Sequence, residues 1–140
     1  MKKTFIIAEA GVNHNGSMQL AKKLVDIAID SCCDAVKFQT FKSENLVLKD
    51  AQKANYQKKT TNSTETQFDM LKKLELPYTD FEELKEYCDK KNILFLSTAF
   101  DIETADFLNP LIPLFKIPSG EITNLPYLRK INSFKKKIIL

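Results

Sequence analysis

Lys37 and Gln39 stand two residues apart in the run AVKFQTFK, residues 35–42, so an extended chain projects both to one side. Their neighbours Ala35, Val36, Phe38 and Phe41 are what a strand packed on both faces contains. A lysine in such a strand is heavily penalised by desolvation unless its face opens on something polar, so Lys37 is expected to face a cavity. Lys116, between Phe115 and Ile117, repeats the pattern. Two ammonium groups converging on one cavity repel each other unless an anion lies between them, and the ligand that suits them is multiply negative, a phosphate or a carboxylate. Glu9 would pair with one lysine in the empty site or receive hydroxyls of a polar substrate. Either lysine alone reads as an edge or snorkelling residue; the repetition, together with Glu9, favours a site.

Positioning these groups requires strands whose ends meet. Short apolar runs at Phe5 to Glu9, Ala35 to Gln39, Ile93 to Ser97, Leu114 to Ile117 and Lys137 to Leu140 have the length and content of buried strands. Segments of helical period lie between them. Ser17 is a candidate N-cap for a helix with the apolar stripe Leu20, Ala21, Leu24, Ile27 and Ala28. Thr64 with Gln67 and Thr79 with Glu82 have the spacing of capping boxes. Asp101 is placed to cap a helix from Ile102 to Leu108 that stops before Pro110, and Asn124 to cap another through Ile131. Alternation of this kind predicts an α/β fold with parallel strands, either a doubly wound open sheet or part of a (β/α)8 barrel. Binding sites in both lie at the carboxyl ends of the strands, where Glu9, Lys37, Gln39, Ser97, Thr98, Lys116 and Ser119 fall. The polar connection from Phe41 to Thr66 is long enough to expect a functional loop.

The rest of the sequence narrows the function classes. With 140 residues the chain suffices for one modest domain. A net charge of +3, dispersed lysines and the lone arginine Arg129 make a poor nucleic-acid footprint. The apolar run near the amino terminus reaches Glu9 too soon for a signal peptide or a membrane span, so no membrane partner is expected. Cys32, Cys33 and Cys88 fit neither a disulfide framework nor a zinc spacing, which suggests a reducing, cytoplasmic setting.

Four stretches, IIAEAGVNHNGS (6–17), AVKFQTFK (35–42), LSTAFD (96–101) and FKIPSGEITNLPYL (115–128), closely resemble the amino-terminal half of the sialic acid synthase family, in order and with compatible spacing. The details are most similar to N-acetylneuraminate and N,N'-diacetyllegionaminate synthases. The resemblance implies five parallel strands with intervening helices, the N-terminal part of a (β/α)8 barrel. It also implies condensation of phosphoenolpyruvate with an N-acetylmannosamine-type sugar and release of phosphate. Lys37, Lys116 and Ser119 would hold phosphoenolpyruvate; Glu9, Gln39, Thr98 and Phe100, with Tyr56 and Asn62 of the long loop, would line the sugar pocket. Glu9, Lys37 and Lys116 are the implied catalytic residues. The full-length family uses manganese or magnesium with ligands from later strands, and a homodimer is implied for it. His14 is therefore expected to order the loop beside Asn13 rather than bind metal.

The sequence departs from the family pattern in places. Cys32 and Cys33 stand where a glycine-containing pair is usual, and a glycine there would suit a left-handed helix cap. Ala99 replaces a proline, which would loosen the exit of the third strand. The run KKIIL resembles a fifth barrel strand. The expectation is thus a partial barrel, inactive alone, without the later strands and the small antifreeze-like domain that the resemblance implies for the full-length family. The competing reading is a non-catalytic anion-binding or assembly module that keeps the phosphoenolpyruvate groove.

Overall fold

The computed structural model describes residues 4–51 and 65–140. Five strands alternate with helices: β1 (Ile7–Gly11), α1 (Met18–Asp30), β2 (Ala35–Thr40), α2 (Ser43–Leu46), α3 (Gln67–Leu74), α4 (Tyr78–Lys90), β3 (Leu94–Ala99), α5 (Ile102–Leu108), β4 (Leu114–Lys116), α6 (Leu125–Ser133) and β5 (Lys137–Ile139). A 3-10 turn, Ser119–Glu121, follows β4. β1, β2 and β3 form one parallel sheet in that order, and β4 and β5 form a second parallel pair. β3 and β4 lie side by side without ladder hydrogen bonds, so the expected run of five strands is split in two among the described residues.

Alternation along β2 divides the layers. Val36 and Phe38 join Phe95, Phe115, Leu84 and Ile131 in the core between strands and helices, while Lys37 and Gln39 point the other way. α1 is capped by Ser17, whose hydroxyl accepts the Leu20 N–H at 3.3 Å. Its buried face is Ala21, Val25 and Ala28, whereas Leu20 and Ile27 are 42% and 50% exposed. The predicted stripe was therefore rotated by about one residue, because close approach to the sheet selects the small side chains.

Two predicted caps are displaced. α3 is capped by Thr66, in a reciprocal capping box with Asp69; Gln67 is the first helical residue and Thr64 lies outside the described residues. α4 begins at Tyr78 after Pro77, whose restricted φ of −65° sets the helix entry, so Thr79 sits inside the helix. Asp101 and Asn124 cap α5 and α6, accepting from Thr104 N–H at 2.8 Å and Tyr127 N–H at 3.2 Å. After α1 the chain turns through Cys32 at φ +56°, the left-handed conformation that a glycine would occupy more easily. Among the described residues no helix is long and apolar enough to cross a membrane.

Candidate functional site

Parallel pairing brings the polar groups to one edge. In the ladder Glu9 lies opposite Lys37, and Gln39 opposite Thr98. The register shifts between Glu9 and Gly11, and Gly11 adopts φ +55°. A Cβ on Gly11 would meet Glu9 Oε1 at 3.4 Å and Gln39 Nε2 at 3.7 Å, ordinary contact distances, so it is the left-handed backbone and not lack of space that favours glycine here.

A cavity of about 410 Å³ opens there, lined by Glu9, Lys37, Gln39, Thr98, Phe100, Lys116, Pro118, Ser119 and Gly120. Glu9, Lys37, Gln39, Thr98, Phe100, Lys116 and Ser119 are on its wall, whereas Ser97 is buried with its hydroxyl bonded to that of Thr40 at 2.7 Å; Tyr56 and Asn62 lie outside the described segments. Lys37 is buried, with its Nζ paired to Glu9 Oε2 and donating to Thr98 Oγ1 at 3.3 Å. Glu9 is half exposed, at the mouth. Lys116 has no carboxylate partner among the described residues. The wall thus carries two ammonium groups against one carboxylate, with hydroxyls from Thr98 and Ser119 and the Gln39 amide beside them. Such a wall binds an anion through charge-assisted hydrogen bonds.

Pro118 and Gly120 also line the cavity. They contribute backbone rather than side-chain chemistry; the PSG run announced a turn but not its part in the wall. Phe100 is half buried, meeting Phe41 edge-on at 6.3 Å, so it both packs and faces the cavity. At the exit of β3, Ala99 is buried and its carbonyl accepts the Tyr127 hydroxyl at 2.9 Å. Burial pushes the Tyr127 phenol upward, which keeps that donor protonated.

His14 sits elsewhere, buried on the helix side against Phe38 at 6.2 Å between ring centres. Its Nδ1 accepts the Gly16 N–H at 3.1 Å, and burial lowers its pKa. It ties the turn between β1 and α1.

Comparison with known proteins gives this geometry a context. The NeuB family model matches residues 24–140. The chain belongs to the NeuB family. It is 60% identical over its full length to the N,N'-diacetyllegionaminic acid synthase of Campylobacter jejuni, of which it covers 42%. It is 53% identical over 97% of its length to the synthase of the same name from Legionella pneumophila, covering 38% of that protein. Among solved structures, the N-acetylneuraminic acid synthetase of Leptospira borgpetersenii, in complex with citrate, superposes with a TM-score of 0.81 at 33% identity, over 99% of this chain and 44% of that one. The NeuB chain therefore has the fold of the N-terminal part of a (β/α)8 barrel, and spans about two-fifths of the curated relatives it matches.

Proposed function

We propose that this NeuB-family chain forms the phosphoenolpyruvate-binding half of a synthase that joins phosphoenolpyruvate to an N-acetylmannosamine-type sugar. The observation that carries the reading is Lys37 and Lys116, from separate strands, on one cavity wall with a single carboxylate. The names of the relatives support the product class, and the citrate held by the Leptospira protein is itself a multiply charged carboxylate.

In the proposed reaction C3 of phosphoenolpyruvate attacks the aldehyde C1 of the open-chain sugar. Positive charge develops at C2, water adds there, and C–O cleavage releases inorganic phosphate. Lys37, Lys116 and Ser119 fix the anionic reactant, so that the encounter becomes a positioned one. Gln39, Thr98 and Phe100 border the remaining space, and Glu9 orients a sugar hydroxyl or moves a proton. The family resemblance implies manganese or magnesium. Among the described residues Glu9 is the only carboxylate on the cavity wall, and no three His, Cys, Asp or Glu side chains cluster. These residues do not make a ligand set, and no step is assigned to metal.

The isolated chain is expected to bind phosphoenolpyruvate without turning it over. The synthase reading is tested by grafting these 140 residues in place of the matching segment of the Campylobacter relative. Sugar-dependent phosphate release by the chimera, abolished by Lys37→Met, is the expected outcome. A folded chimera that releases no phosphate would leave the anion-binding module as the better reading.

A further inference from the structure

The two lysines reach the cavity from strands that no common ladder joins, because β3 and β4 lie side by side without backbone hydrogen bonds. Apolar packing spans that break, with Phe95 of β3 and Phe115 of β4 in one core, but such packing is non-directional and does not by itself fix the offset of the two halves. A directional contact must set how far Lys116 and Ser119 stand from Lys37 and Thr98.

Tyr127 supplies one at the cavity end of the strands. Its side chain is buried on α6, and its hydroxyl donates to the Ala99 carbonyl of β3 at 2.9 Å. Ala99 stands between Thr98 and Phe100, both on the cavity wall. On the other side of the break a braced segment joins Tyr127 to β4. The Glu121 N–H donates to the Pro118 carbonyl and the Asn124 N–H to the Glu121 carbonyl, both at 3.0 Å, and the Tyr127 N–H donates to Asn124 Oδ1 at 3.2 Å. Other polar ties lie away from the cavity. Lys130 of α6 pairs with Asp106 of α5 at 2.7 Å on the surface, where an ion pair contributes little. Lys136, just before β5, donates to the Asn109 and Ile112 carbonyls ahead of β4, at the amino ends of those strands.

Building on the synthase reading, we infer that Tyr127 is a positioning residue: its hydroxyl clamps the β4 half of the cavity to the β3 half and so sets the span between the two ammonium groups that hold the anionic reactant. Tyr127 is not on the wall of that cavity; it acts through Lys116 and Ser119. Without the hydroxyl the Ala99 carbonyl loses a buried partner and the segment carrying Lys116 is free to shift, while Lys37 stays fixed by its own ladder to β1 and β3.

The test is a double-mutant cycle on phosphoenolpyruvate affinity, measured by calorimetry on the 140-residue chain with Tyr127→Phe, which keeps the ring and deletes the clamp. Tyr127→Phe is expected to weaken binding at least about fivefold. In that background Lys116→Met should cost only about twofold more, whereas Lys37→Met should still cost about tenfold. Lys130→Ala, which breaks the surface tie, is expected to leave the affinity unchanged. A merely structural role would lower the affinity without changing what either lysine contributes, so equal losses from the two lysines in the Tyr127→Phe background overturn the assignment. Hydrogen exchange on the parent chain gives a second reading that needs no variant to fold. By reciprocity, saturating phosphoenolpyruvate should slow exchange of the α6 amides around Ile131, which lie off the cavity wall, at least about threefold, and unchanged exchange there also overturns it. If the lysines matter and Tyr127→Phe is without effect, the clamp falls and the anion site stands. If the parent chain fails to bind phosphoenolpyruvate, the synthase reading falls first and this inference with it.

Discussion

Lys37 meets the cavity with its ammonium already engaged by Glu9 and Thr98, whereas Lys116 has no carboxylate beside it among the described residues. An incoming anion competes with Glu9 for Lys37, and Glu9→Gln removes the competitor while keeping its shape. That variant should bind inorganic phosphate about threefold or more tighter by calorimetry; weaker binding would mean that Glu9 organises Lys37 rather than occupies it. The cysteines separate in the same residue-level way. Burial pushes the Cys88 thiol up to about 12, while Cys32 is exposed. Iodoacetamide at pH 8 should therefore label Cys32 and spare Cys88 in the folded protein, as read by peptide mass spectrometry. The lysines and Glu9 were legible in the sequence because a charge inside an apolar run is an anomaly that needs a physical reason. Pro118 and Gly120 were not, since backbone that lines a wall leaves no signature in residue type.

At the level of elements, the ends of the helices carry most of the testable content. Cys32 follows α1 in the left-handed region at φ +56°, where an L side chain is strained. Cys32→Gly should stabilise the fold by about 1 kcal/mol, seen as a raised thermal midpoint, and an unchanged or lowered midpoint would contradict the strain. Glu75, just past α3, fastens the start of the loop after β2. Its carboxylate accepts the Ser43 N–H at 3.0 Å and the Ser43 hydroxyl at 2.9 Å, and pairs with Lys42 and Lys72 at 3.3 Å. Burial pushes the Glu75 pKa up, but these donors outweigh it and the net shift is downward. A carboxylate with a depressed folded pKa contributes stability above its unfolded pKa and loses it as pH falls through the folded value. Glu75→Gln should therefore cost stability at pH 7, and the difference from the parent protein in thermal melts should shrink as pH falls below the ordinary glutamate range and through the depressed folded pKa. Caps at Ser17, Asp101 and Asn124 could be read directly, because a short polar side chain ahead of an apolar period has a local cause. The stripe of α1 and the start of α4 could not: the first depends on how closely the helix meets the sheet, the second on Pro77.

Over the whole molecule, the order of strands and helices sufficed to predict parallel pairing, because right-handed crossovers leave few other topologies. The break between β3 and β4 was not legible, since ladder bonding depends on how neighbouring strands tilt in three dimensions and not on either strand's own residues. What the fold achieves is convergence: β2 and β4, which belong to different hydrogen-bonded sheets, each deliver one lysine to the same cavity. Titrating phosphoenolpyruvate into the 140-residue chain, alongside Lys37→Met and Lys116→Met, measures that convergence most directly. Saturable binding of one equivalent, weakened at least about tenfold by either substitution, is the predicted result. A chain that stays folded and binds equally well without either lysine would contradict it.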